Sequence, residues 1–139
     1  MFRAAIRFPI TDGAIVAALR GGLVARWGSS GLAVQGKLPD PKVRRMVTLR
    51  NDSGPQEERI SRRRYGVNVW ADDPVDAENM ALDVLAILQT MATGSPVVST
   101  DSFSGPFEVF DDPQMTVANK NLTHFYCAFR ASVKASTFI

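Results

Sequence analysis

The chain holds one histidine, His124, and one cysteine, Cys127, both in the segment NLTHFYCAFRASVKA. A thiolate beside an imidazole is the core of many nucleophilic sites, so this pair is the first place to look for chemistry. Strand alternation separates them. Phe125, Cys127, Phe129, Ala131 and Val133 fall on one face, and His124, Tyr126, Arg130, Ser132 and Lys134 on the other. Cys127 is therefore expected as a buried, inert thiol, and His124 as an ordinary surface or interface residue. No Ser/His/Asp or Cys/His arrangement can be assembled from the rest.

Asp72, Asp73, Asp76 and Glu78 have the residue types of a metal site, but their spacing is that of a helix N-terminus, where capping explains them. Asp101, Asp111 and Asp112 stand in turns and do not follow a calcium-loop spacing. There is no phosphate-cradling glycine motif. Neither a cofactor nor a metal is expected, and the chain does not read as an enzyme.

Positive charge is harder to dismiss. Arg59 and the run Arg62-Arg63-Arg64 suit a solvated strand end, a subunit contact or a contact with a nucleic-acid backbone. Base reading needs more than arginine. Trp70 lies on the non-core parity of its strand, so that face is expected under a helix, another part of the fold or another subunit. The candidate interface or lumen residues are Arg59, Arg62, Arg64, Trp70, Asp72, Asp73, Asp111 and Asp112.

The elements that must position these residues follow from periodicity. A helix begins near Asp12 and turns Ile15, Leu19, Gly22 and Leu23 to one face; Gly21-Gly22 marks either its end or a close packing contact. GKLPDPK is a loop. VRRMVTLRN alternates, with Val43, Val47 and Leu49 opposite Arg44, Thr48 and Arg50, and NDSGPQEE joins it to the next strand as a hairpin. There Tyr65, Val67, Val69 and Ala71 share the core face, opposite Arg62, Arg64, Asn68 and Trp70, and Gly66 suits a bulge. Asp73 caps an amphipathic helix over about 74–93, with Pro74 at its first position, Gly94 as its stop, and Ala77, Met80, Ala81, Val84, Leu85, Leu88 and Met91 at helical spacing. PVVST and FEVF read as two short strands. The order predicts a single α+β domain over 1–139, with a mainly antiparallel sheet, an N-terminal helix and the central helix packed on it.

Composition agrees with a soluble globular domain: 139 residues, 45% hydrophobic and 22% charged. The longest non-polar run, Gly13 to Leu19, is too short to span a bilayer, and a lone cysteine suits a reducing cytoplasm. Net charge is +2, yet residues 1–70 carry 13 Lys/Arg against 5 Asp/Glu while residues 71–139 carry 3 against 9. A basic half and an acidic half suit complementary patches.

The stretch from MVTLRNDSGPQEERISRRRYGVNVWADDPVDAENMALDVLAIL through GPFEVFDDPQM to the closing alternating strand resembles the tail terminator family of long-tailed bacteriophages. The resemblance is carried by the order of an arginine-bearing strand, Val67, Val69, Trp70 and Ala71, then Ala77 and Glu78, Gly105-Pro106 and Asp112-Pro113. It covers most of the chain after about residue 43, and the tryptophan directly following Val69 departs from the family pattern. It implies a homo-oligomeric ring, a hexamer, that caps the tail tube, stops its elongation and offers a head–tail joining surface to connector or neck proteins. It also implies no catalytic residues, a place in the virion after assembly in the host cytoplasm, no membrane, and at most non-specific contact with passing DNA. A neighbouring neck or head-completion protein is the alternative within virion assembly. A small nucleic-acid-binding module using Arg59 and Arg62–Arg64 is the alternative outside it.

Overall fold

Asp73 starts the central helix as its sequence predicts. Its carboxylate accepts from the backbone N–H of Val75 at 2.8 Å and of Asp76 at 3.1 Å, which satisfies two of the donors a helix start leaves open. Pro74 takes the first helical position, where its missing N–H has no cost. Ala77, Met80, Ala81, Val84, Leu85 and Leu88 form the buried stripe.

The computed structural model describes residues 6–7, 11–54, 60–91, 97–111, 113–134 and 136–137. In chain order the elements are β1 (Ile6–Arg7), α1 (Asp12–Trp27), β2 (Leu32–Gln35), β3 (Arg45–Ser53), β4 (Ile60–Ala71), α2 (Pro74–Thr90), β5 (Val97–Val109), β6 (Thr116–Val117), β7 (Lys120–Asn121), β8 (Thr123–Lys134) and β9 (Ser136–Thr137). The main sheet has the order β2-β3-β4-β8-β5. Its pairs are antiparallel except β2–β3, so the fold is the expected α+β with a mainly antiparallel sheet. β1 pairs with β9 and β6 with β7 in two small separate ladders.

Both helices lie on one face of the main sheet. Ile15, Leu19 and Leu23 of α1 and the stripe of α2 meet Tyr65, Val67 and Val69 of β4 and Phe125, Cys127 and Phe129 of β8 in one continuous core. The two helices pack at Gly22, where an added Cβ would fall 2.5 Å from the Ile87 side chain. The glycine pair is thus a packing contact. The helix runs through it and stops at Gly28, whose N–H still bonds the Val24 carbonyl at 2.9 Å while its positive φ turns the chain out of the helix.

Three expectations need correction or fall out of reach. α2 ends at Thr90, short of 93, and Gly94 lies outside the described residues. The two pieces, from Val97 in PVVST to Val109 in FEVF, belong to one long edge strand, β5, whose register slips between Val97 and Ser99, Asp101 and Ser104, and Ser104 and Phe107. Each bulge resets the two-residue period, so alternation across the whole strand vanishes from the sequence. Gly66 pairs in unbroken register with both neighbours and is no bulge.

Candidate functional site

The face of the sheet turned away from the helices divides into a covered end and an open end. At the covered end Met46, Trp70 and Leu122 form a second, smaller core, with Val43, Met115 and Val117 packed against it. Leu122 and Met115 come from the segment around the β6–β7 hairpin, tied together by the Leu122 N–H donating to the Met115 carbonyl at 2.8 Å. This strap is what covers Trp70, which is 6% exposed.

His124 is buried there too, at 7% exposure, which corrects its placement as a surface residue. Its ring stacks on Trp70 with centroids 4.3 Å apart and planes 21° apart. Nδ1 stands 3.0 Å from a carboxylate oxygen of Asp111, and Nε2 stands 2.7 Å from Oδ1 of Asn68. Trp70 Nε1 donates to the same Asp111 carboxylate at 3.4 Å. An aspartate on one imidazole nitrogen suggests a catalytic relay, but the other nitrogen ends on an amide, which is no nucleophile. The group is a clasp that holds the strap to the sheet. A pocket of about 130 Å³ lies beside it, between Glu108, Asp111, Gln114 and His124.

The open end is built from cross-strand rows. Arg64 of β4 is the direct partner of Arg130 of β8, which in turn pairs with Asp101 of β5. Arg130 donates to both Asp101 oxygens, at 2.8 and 3.2 Å. That pairing holds the Asp101 carboxyl below its ordinary range and raises the Arg130 guanidinium. Arg50 closes a second pair with Asp52 at 2.7 Å. Arg64 is exposed and has no ion-pair partner among the described residues.

Between these rows the strands carry small residues, Gly66, Ala128 and Ser104, in adjacent register. Tyr126 lies over Gly66, where an added Cβ would stand 2.8 Å from the phenol oxygen. The result is an open hollow of about 360 Å³ walled by Asp52, Arg64, Ser102, Tyr126 and Arg130. Arg50 sits over the Tyr126 ring at 5.9 Å.

The arginine run does not form one patch. Arg62 and Arg64 share the open face, whereas Arg63 points to the helix side and donates to the Thr11 hydroxyl at 3.3 Å. Thr11 also bonds the Tyr65 hydroxyl, which lies 3.0 Å from Asp12; burial raises the Tyr65 pKa above its ordinary value. Arg59 and Asp112 lie outside the described residues. Trp70 and Asp111 are engaged within the chain by the clasp, Trp70 nearly buried and Asp111 partly exposed. Asp73 is exposed but committed to capping α2, and the Asp72 N–H donates to the Arg44 carbonyl at 3.1 Å.

Part of the charge asymmetry is spent inside the fold. Arg26 pairs with Asp83 at 2.8 Å, and Arg45 with Asp76 at 3.3 Å, each joining the basic half to the acidic half. Arg45 also lies 5.0 Å from the Trp27 ring, so it ties the end of α1 to the start of α2. These ties involve distant sequence positions and left no local signal. Burial pushes the Cys127 thiol up to about 12, which makes it inert as expected.

No group of three His, Cys, Asp or Glu close enough for a metal occurs among the described residues. No described helix is long and apolar enough to cross a membrane. Compared with protein-family models the chain matches none, and compared with curated proteins it matches none.

Proposed function

We propose that the chain is a ring-forming assembly subunit of the tail-terminator type, which caps a tail tube, stops its elongation and offers a joining surface to the head connector. One observation carries the reading beyond the sequence resemblance. The open sheet face bears Arg64, without an ion-pair partner among the described residues, while the start of α2, on the opposite layer, exposes Asp73, Glu78 and Val75. Unlike patches on opposite sides of one molecule favour a head-to-tail contact, which closes into a ring or runs on, over a two-fold dimer. The site of action that follows is the head–tail junction of a virion.

Light scattering on the purified protein across a wide concentration range tests this. A single closed multiple of the 15.2 kDa subunit, six in the family it resembles, is the expected result. A monomer that persists at high concentration, in the presence and absence of tail tubes, overturns it.

A further inference from the structure

The hollow around Gly66 has features that a solvated strand end does not need. Arg64 and Arg130 are direct cross-strand partners, and like charges placed opposite each other destabilise a sheet. Asp101 neutralises only one of them. Lys134, on the same face, adds a further positive charge at the far end of β8. Ser102, in the wall of the hollow, adopts φ 54°, a left-handed conformation rare for serine. It lies inside a register slip between Asp101 and Ser104, so its backbone is released from regular pairing. Strain of this kind persists where surrounding structure imposes it, and it clusters at ligand sites.

The second feature is aromatic. Tyr126 lies over the glycine floor, and its direct partner on β5 is Phe107, 56% exposed. Any residue larger than glycine at 66 would displace the Tyr126 ring. A flat sheet face that sets an exposed Phe107 and a half-buried Tyr126 beside arginines is an arrangement that stacks unpaired bases and holds their phosphates. A duplex offers its bases only edge-on, within grooves.

We infer that the hollow binds single-stranded nucleic acid, one phosphate on Arg64 and one base on the Tyr126–Phe107 pair. This rests on the hollow alone and holds whether or not the subunit forms a tail-terminator ring.

The test is fluorescence anisotropy with a fluorescein-labelled octathymidylate. With one phosphate engaged, affinity should fall roughly threefold between 50 and 200 mM salt. Arg64→Gln should weaken binding about tenfold and flatten the salt dependence. Tyr126→Leu, which keeps an apolar residue over Gly66, should weaken it by a similar factor while leaving the salt dependence unchanged. Arg44→Gln, an exposed cation in the loop before β3, should bind as wild type does. Circular dichroism confirms that each variant is folded. The inference is overturned if wild type does not bind, if a duplex of the same length binds as well, or if Arg44→Gln loses as much affinity as Arg64→Gln.

Discussion

Trp70 and His124, cross-strand partners on β4 and β8, stack at 4.3 Å while one carboxylate, that of Asp111, reaches both rings. The pair lies on the sheet face away from the helices, so it anchors the strap instead of the main core. His124→Ala leaves Asn68 without its partner and Asp111 with Trp70 alone, both half-buried. A loss of roughly 1–3 kcal/mol follows from stranding such groups, read by urea denaturation. Oligomer mass should not change, and a variant that is stable but fails to assemble would contradict the structural role.

Leu88 is fully buried at the end of the α2 stripe. Leu88→Ala should cost roughly 2–5 kcal/mol, the range for large core truncations. A loss below about 0.5 kcal/mol belongs to surface positions and would refute the helix phase.

The two glycines of α1 should respond oppositely. Gly21 is exposed, with open space where a Cβ would go, so Gly21→Ala should stabilise by up to about 1 kcal/mol through helix propensity. Gly22→Ala makes the same propensity gain but drives a methyl to 2.5 Å from Ile87, so the α1–α2 contact must open. Thermal melts of the two variants should move in different directions. Equal stabilisation would place Ile87 elsewhere.

Cys127 makes stability fall in alkali. Well below pH 9 both folded and unfolded thiols keep their proton, and the thiol contributes no pH dependence. Between 9.0 and about 12 the unfolded thiol ionises while the buried one does not. The unfolded state then binds fewer protons, and stability drops by at most about 1.4 kcal/mol per pH unit. Cys127→Ala should have a shallower decline between pH 9.5 and 11, though Tyr65, also raised by burial, keeps its own share. Parallel slopes for the two proteins would show that the thiol is exposed.

Arg64→Glu replaces a like-charge cross-strand pair with Arg130 by an attractive one, so the subunit should fold at least as well. Where Arg64 meets a carboxylate of the next subunit, the change creates a repulsion at every junction, and light scattering should report dissociated subunits. Intact rings would move Arg64 from the junction to the lumen.

Alternation made β4 and β8 legible: Tyr65, Val67 and Val69, with Phe125, Cys127 and Phe129, all lie in the core as read. Helical spacing and one capping aspartate did the same for α2. β5 was not legible, because its bulges reset the period. His124 was misplaced, and the cover over Trp70 left open among three possibilities, for a different reason. The strap that buries them has almost no regular structure, and a non-periodic segment gives no sign of which face it will cover. Alternation also split the arginine run, with Arg62 and Arg64 opposite the core face, and the structure sends Arg63 to the helix side; only the nucleic-acid alternative takes the run as one patch.

The irregular β5 edge has a consequence for how copies of the molecule can meet. At one margin of the main sheet, three register slips and Pro106 break the row of backbone groups that an incoming strand would need. At the other margin β2 is four residues long, and Arg20 donates to its Val34 carbonyl at 2.6 Å. Neither margin is a template for strand addition. Crowded copies are thereby kept from fusing into a continuous cross-β ribbon, and contacts between them are left to side chains on the faces, where charge and shape can select the partner.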